Sequence, residues 1–296
     1  MVAVNHILPI VRPWTMRETH QHLSETHIVG ADTLERALRA EHLPILRQHQ
    51  IAHLGIADAA VPYSMVRTHL NGTYMLACFS GQGQILLDGR WQSCRAGMAC
   101  LAPPHVLHAF HAVTGQRWGF CWVKYEQPAE QIPFITSASP VMAKFDAFAL
   151  KSAIDGLYHE SVGSADPALL RHWLDLVHLY VLRFAQPWHQ DDRLSHVWAR
   201  VEKNPGDTWT LDQIAGLCHY SSEHLRRLCQ RQLGRSPMHH VTYLRMQKAA
   251  QMLENTSEKI ERIAHAVGYE NPFVFSTTFK KWIGWRPSEY RKRRTI

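Results

Sequence analysis

The 296-residue chain contains no apolar run approaching the roughly 20 residues that a bilayer-spanning helix needs. Its first dozen residues show no basic stretch followed by an apolar core, so a secretory signal is not expected and the protein is expected to be cytoplasmic. Cysteine is sparse. Cys78, Cys94, Cys100, Cys121, Cys218 and Cys229 include no pair at the close spacing of a zinc knuckle or a redox couple. In a reducing compartment they are expected to be buried, small apolar residues with free thiols. No Ser-His-Asp, Cys-His or phosphate-loop arrangement is present, and the 21 histidines are scattered rather than clustered. Hydrophobic content of 46% with 19% charged residues describes an ordinary globular protein, long enough for two domains.

What is present is an uneven charge. From Asp191 onward there are 18 Lys and Arg against 11 Asp and Glu, whereas the first 190 residues hold 14 of each sign. The whole surplus of seven therefore lies in the last third. That division suggests a small-molecule or protein partner for the neutral part and phosphate for the basic part.

Periodicity divides the chain similarly. An extended start (Pro9, Pro13) precedes a helix expected over Asp32 to Gln50, with Asp32 as N-cap and Leu34, Leu38, Leu43 and Leu46 as its apolar stripe. From Ser64 to Tyr125 short β-rich runs alternate with turn signals such as Ser80-Gly81-Gln82-Gly83 and Asp88-Gly89. Many short strands at this spacing read as an antiparallel barrel or jelly roll. After Pro140 the pattern turns helical. Leu169, Leu170, Trp173, Leu174, Val177, Tyr180, Val181 and Phe184 form a broad apolar face, with Leu176 and Leu179 on its other side. That helix packs on the barrel, joins a second copy of the chain, or does both. The run from Gln186 to Asp192 reads as a linker.

One helical pattern then occurs twice, about fifty positions apart. The first copy runs Ile214-Ala215-Gly216-Leu217-Cys218-His219-Tyr220, then Leu225, Leu228, Cys229 and Gly234-Arg235-Ser236-Pro237. The second runs Ile263-Ala264-His265-Ala266-Val267-Gly268-Tyr269, then Phe275, Thr278, Phe279 and Gly284-Trp285-Arg286-Pro287. Two helix-turn-helix units on a basic domain are a reader for duplex DNA. Thr210 with Gln213 makes a capping box for the first unit, and Ser221 or Ser222 caps its recognition helix. The outward face of that helix carries Glu223, Arg226, Arg227, Gln230 and Arg231. Arginine bidentate to guanine is the commonest specific base contact. In the second unit Asn271, Ser276, Thr277, Lys280 and Lys281 are left outside the core formed by Phe275, Phe279 and Trp282. Together with Ser222 these are the candidate DNA-binding residues.

The run Ile263-Ala264, Val267-Gly268-Tyr269, Phe275-Ser276, Phe279-Lys280-Lys281, Gly284 and Arg286-Pro287-Ser288-Glu289-Tyr290-Arg291 resembles the AraC/XylS family of bacterial transcription regulators. The resemblance covers roughly Arg193 to Arg291. It implies two units joined by a helix, here from Pro237 to about Glu254, reading successive major grooves ~34 Å apart. Thr277 stands where the family commonly has Arg, and Phe273 and Val274 stand where polar readers often lie. The first unit is therefore expected to dominate direct base readout, and the second to act more through the backbone.

The stretch Tyr74 to Tyr125 resembles the cupin effector domain of arabinose-type regulators, through Gly81-x-Gly83, Asp88-Gly89-Arg90, Pro103-Pro104, His108 and Trp118 to Trp122. The resemblance implies a jelly roll holding a sugar or similar effector, with Arg67 and Trp122 as contacts. Phe110 and Phe120 replace a polar Tyr and a His of that pocket, which points to a less hydroxylated or differently oriented ligand. For Phe120 and Trp122 plain barrel core is an equal reading. A metalloenzyme would need paired histidines and a carboxylate on an early strand. Thr73 to Gln84 has neither, so no metal, cofactor or enzymatic activity is expected, and His105, His108 and His111 are expected to be surface or satisfied barrel residues.

The expected fold class is thus α+β and multidomain. It comprises an N-terminal arm and helix (1–60), a cupin-like barrel (61–140), a helical dimerisation segment (141–186), a linker (187–193) and a helical DNA-binding domain (194–296). The expected partners are double-stranded operator DNA with repeated half-sites, a small effector such as a sugar, and a second copy of the chain, with RNA polymerase a further candidate. Effector binding is expected to shift the packing of the sensor or of its arm around Pro9 to Trp14. A cupin enzyme fused to a DNA-binding tail and a ligand-independent regulator are the alternatives.

Overall fold

A computed structural model describes residues 23–68, 72–104, 106–126, 135–136, 139–186 and 192–293. The expected arm around Pro9 to Trp14 and most of the linker lie outside the described residues.

The N-terminal domain is a curled antiparallel sheet backed by two helices. Its strands are β1 (Thr26–Ile28), β2 (Leu34–Arg39), β3 (Ile51–Ala59), β4 (Ser64–Arg67), β5 (Tyr74–Leu87), β6 (Arg90–Arg95), β7 (Met98–Ala102), β8 (His108–Ala112), β9 (Trp118–Tyr125) and β10 (Met142–Lys144). The main path runs β1-β4-β8-β5-β9-β3-β2, with β6 and β7 also on β5 and β10 on β7. The sheet closes because β5 serves two neighbourhoods. Its first half pairs with β7 and β9, and its second half pairs with β6 and β8. The register slips between Cys78 and Ser80, and such a bulge bends the strand at the corner. Ser80-Gly81-Gln82-Gly83, expected as a turn, is therefore the kinked middle of one long strand. Asp88-Gly89 does form the expected two-residue hairpin, both residues having positive φ (51° and 72°).

The helix expected over Asp32 to Gln50 is not formed. Leu34–Arg39 is a strand paired throughout with β3, and Pro44–His49 is a short 3-10 helix. Leu, Glu, Arg and Ala favour a helix in isolation, but pairing along the free edge of β3 outweighs that weak preference. The sheet accordingly begins at Thr26, and a boundary at residue 61 would cut through it.

Both faces of the sheet are buried, so Tyr74-Met75-Leu76-Ala77-Cys78 reads as one apolar run. Alternate residues enter different cores. Tyr74, Leu76, Cys78, Phe120 and Trp122 point into the barrel, while Met75, Ala77, Cys121 and Val123 point at the helices. Those helices are α1 (Ala147–Val162) and α2 (Pro167–Ala185), capped by Asp146 and Asp166. Leu170, Leu174, Val177, Val181 and Phe184 of α2 are buried in the core that α2 shares with α1, which in turn lies on the sheet, and this accounts for the broad apolar face; Leu169, Leu176 and Leu179 stay exposed.

The C-terminal domain is helical: α3 (Asp192–Lys203), α4 (Leu211–Cys218), α5 (Ser222–Leu233), α6 (Pro237–Asn255), α7 (Ile260–Ala266), α8 (Pro272–Ile283) and α9 (Pro287–Arg293). It has two cores. One gathers Trp198, Ile214, Leu225, Leu228 and Cys229; the other gathers Ile263, Phe275, Phe279 and Ile283, with α6 feeding both. The capping box on Thr210 and Gln213 is present.

Candidate DNA interface and effector pocket

Helices α4 and α5 form the first helix-turn-helix unit, and α7 and α8 the second. In each, the first helix ends at a left-handed residue, His219 (φ 57°) or Gly268 (φ 81°). A side-chain cap then starts the recognition helix. Ser221 accepts from the His224 N–H, and Asn271 accepts from Phe273 and Val274. The cap of α5 is thus Ser221, while the Ser222 hydroxyl donates to Asp212 Oδ1 at 2.6 Å and ties α5 to α4.

The two recognition helices present equivalent stripes at a fifty-residue offset. On α5 the stripe is Glu223, Arg226, Arg227, Gln230 and Arg231, all exposed. Arg226 lies 3.7 Å from Glu223, an exposed pair worth little by itself. On α8 the equivalent positions are Phe273, Ser276, Thr277, Lys280 and Lys281; Phe273 and Thr277 are exposed, and Ser276 and Lys280 half-buried.

The barrel holds both recognition helices by their C-terminal ends, at the same position of the repeat. The Val141 N–H donates to the Leu233 carbonyl at 3.1 Å, and the Leu107 N–H donates to the Ile283 carbonyl at 2.9 Å. These bonds satisfy carbonyls that a helix end would otherwise leave open. Glycine follows each, with φ 76° at Gly234 and 102° at Gly284. A Cβ on Gly234 would lie 2.1 Å from the Met142 carbonyl oxygen, and one on Gly284 would lie 2.4 Å from Leu107 Cβ. Both the left-handed turn and the close approach therefore demand glycine.

Between the two contacts sits a buried ion pair. Asp88, at the hairpin tip, meets Arg235 Nη2 at 3.1 Å, with the side chains 9% and 3% exposed. The Arg235 guanidinium stacks 4.1 Å from the Tyr243 ring. Lys281 packs against Gly89, and Arg231 lines a 360 Å³ cleft with Lys144, Phe145, Tyr180 and Arg183 of the sensor. Arg231 and Lys281, expected on the DNA face, are thus the sensor-side ends of their stripes. The Asp88–Arg235 contact was invisible in the sequence, where Asp88 marked only a turn and Arg235 only a repeat boundary.

Inside the barrel the structure brings Arg67, Phe110, Phe120 and Trp122 together. Phe110 and Phe120 are fully buried, 6.0 Å apart edge to face, and Trp122 donates its Nε1–H to His53 Nδ1 at 3.0 Å. The Arg67 guanidinium lies over the Tyr74 ring at 4.6 Å, with a buried Nη1 that has no partner. His108, opposite Arg67 in register, is 1% exposed with neither ring nitrogen partnered. It is neither a surface nor a satisfied histidine, contrary to expectation. Glu35 Oε2 is also buried without a partner. Among the described residues no group of three or more His, Cys, Asp or Glu is placed to hold a metal ion.

Burial, assisted by Arg67, holds the His108 pKa down at about 3. An unfolded histidine titrates near 6.5, so between pH 6.5 and 3 only the unfolded chain takes up the proton, and stability falls as pH falls. About 2 kcal/mol from His108 alone is expected to be lost between pH 7 and pH 5. Denaturant midpoints of the sensor transition at the two pH values measure it. His108→Gln is expected to flatten the dependence, and an unchanged slope would contradict the assignment.

Recognition helices with exposed N-terminal halves, joined to a barrel with unpartnered polar groups inside, define a DNA-binding protein with a ligand-type domain. Residues 214–293 match a helix-turn-helix domain family, and residues 52–196 match the AraC-like ligand binding domain. The chain belongs to the AraC family and is a DNA-binding transcription regulator. It is 26% identical to the MmsAB operon regulatory protein of Pseudomonas aeruginosa over 89% of this chain and 91% of that protein. It is 30% identical to the lactose operon transcription activator of Staphylococcus xylosus, over 46% of this chain and 51% of that one. Among solved structures it resembles the C-terminal domain of AraT, a response regulator from Geobacillus stearothermophilus. That likeness has 34% identity and a TM-score of 0.34, covering 36% of this chain and 90% of that one. No helix among the described residues is long and apolar enough to cross a membrane.

Proposed function

We propose that this regulator binds operator half-sites through the exposed stripes of α5 and α8 and senses a small molecule, a sugar or sugar derivative, inside the barrel. The observation that carries the sensing role is the buried, unpartnered set of Arg67 Nη1, His108 and Glu35 Oε2. Leaving such groups unsatisfied costs about 1–3 kcal/mol each, which a hydroxylated ligand would recover. Base readout falls to Glu223, Arg226, Arg227 and Gln230, with Ser222 tying α5 to α4 and Asn271 setting the start of α8. Ser276, Thr277 and Lys280 serve the second unit. Lys281 and Arg231 reach phosphate only at the margin of the sensor.

Ligand entry would move the rings of Phe110, Phe120 and Trp122, and with them the strands that end at the Asp88 hairpin and at Leu107. Those are the elements that hold the recognition helices, so occupancy would shift the population of docked and released DNA-binding domains. The exposed Leu169, Leu176 and Leu179 of α2 are the surface proposed for a homodimer, and control of a catabolic operon is the proposed role. The names of the lactose and MmsAB operon regulators are consistent with that role.

A thermal-shift screen of the full chain against sugars and sugar derivatives tests the sensor. A true effector raises stability with concentration, by about 2.7 kcal/mol at a hundredfold excess over its Kd. Arg67→Ala is expected to abolish the shift while leaving operator binding intact. The fully buried Phe110, Trp118 and Phe120 also fit a barrel that only scaffolds. Absence of any stabilising ligand, with intact operator binding, would favour that ligand-independent reading.

A further inference from the structure

Among the large hydrophobic residues that stand exposed in the described part of the chain, the most exposed is Phe273, at 83%, and its neighbour Val274 is 54% exposed. Both lie in the first turn of α8, directly after the Asn271 cap, at the end of the helix remote from the sensor. A phenylalanine so placed gains nothing for the fold. Its phenyl group sits where α5 carries Glu223, the first member of the hydrogen-bonding stripe.

The two stripes differ in kind. Helix α5 presents Glu, Arg, Arg and Gln, groups that hydrogen-bond to cytosine, guanine and adenine edges. Helix α8 presents Phe273 and Val274 with Thr277, and no arginine. In the major groove the only apolar feature is the thymine C5-methyl group, and phenylalanine and the threonine methyl are side chains that contact it. Lys280, one turn further on, supplies charge for the adjacent phosphate.

We infer that the second helix-turn-helix unit is a specificity element that reads thymine methyl groups through Phe273, with Val274 and Thr277 beside it. This rests on the proposed reading of the chain as an operator-binding regulator. The operator would then be asymmetric within each half-site. One segment is read by hydrogen bonds through α5, and another, about one helical turn away, is rich in thymine and read by apolar contact through α8.

The test uses the full-length protein and a duplex it selects from a randomised pool. Thymine in the segment one turn from the guanine-containing segment is replaced by deoxyuridine, which removes only the methyl group. Each buried methyl contributes about a threefold to fourfold factor in affinity. Wild type is therefore expected to bind the deoxyuridine duplex about tenfold more weakly if two methyls are read. Phe273→Ala should bind both duplexes with equal affinity, and Phe273→Leu should retain the discrimination. Because Phe273 is exposed, truncation spares the core, and an unchanged melting curve confirms that α8 is intact.

Equal binding of both duplexes by wild type overturns the inference. So does a Phe273→Ala loss that is the same on thymine and deoxyuridine. A Phe273→Ala defect confined to transcription with RNA polymerase, with methyl discrimination preserved, would also overturn it and mark the patch as a protein contact. Failure of the wild type to select any duplex would instead refute the operator-binding reading, a distinct result.

Discussion

Asp88→Ala is expected to release the DNA-binding domain from the barrel. Removing one partner of a buried pair costs about 3–5 kcal/mol, because the remaining charge stays in a poorly solvated site. Arg235 is 3% exposed and stacked on Tyr243, so its only relief is separation of the two domains and entry of water. The readout is amide hydrogen exchange at Leu107 and Val141, whose N–H groups cap the two recognition helices. Each is expected to exchange at least about a hundredfold faster, given about 1.4 kcal/mol per tenfold change. Exchange in the cores around Met75 and Phe275 should not change. Asp88→Asn, which keeps an acceptor but loses the charge, should fall between the two. Unaltered protection at Leu107 and Val141 in Asp88→Ala would show that backbone contacts alone hold the domains.

Replacing Arg226 and Arg227 together by alanine should weaken operator binding by about 2–6 kcal/mol, the sum expected for two specific guanine-type contacts. Both are exposed, so the loss should appear in binding and not in the melting curve. Arg226 loses only a weak surface pair with Glu223. The single variants should separate base readers from phosphate contacts. A base reader relaxes the selected sequence at one position, whereas a phosphate contact lowers affinity uniformly and reduces the salt slope by about one. An unchanged selected sequence in both single variants would remove α5 from base recognition.

The parts of the protein that were legible beforehand share a local physical basis. The Thr210–Gln213 capping box and the Asp88-Gly89 hairpin are set within four or five residues by steric limits and orphaned backbone groups. The inward faces of α5 and α8 followed from 3.6-residue periodicity, and the cores formed around Leu225, Leu228, Phe275 and Phe279 as that spacing requires. The basic third of the chain was visible as a count.

The illegible parts depended on residues far apart in the chain. Leu34–Arg39 has a helical composition, and only the free edge of β3 makes it a strand. Ser80 to Gly83 carries turn residues, yet the need to bend β5 around a barrel corner turns them into a bulge. His108 looked like one histidine among many. Its isolation is created by Tyr74 and Arg67 closing over it from other strands, beside Phe110 two residues along its own.

By itself the sequence determined that this chain carries two DNA-reading units on a basic domain behind a β-rich sensor. Each of those features is written in short-range spacing, caps and charge. The tertiary structure alone decided that the sensor caps both recognition helices at the same position of the repeat, and that Asp88 meets Arg235 147 positions away. A buried pair across that distance is selected by the free energy of closing and drying an interface, to which no local pattern in the chain corresponds.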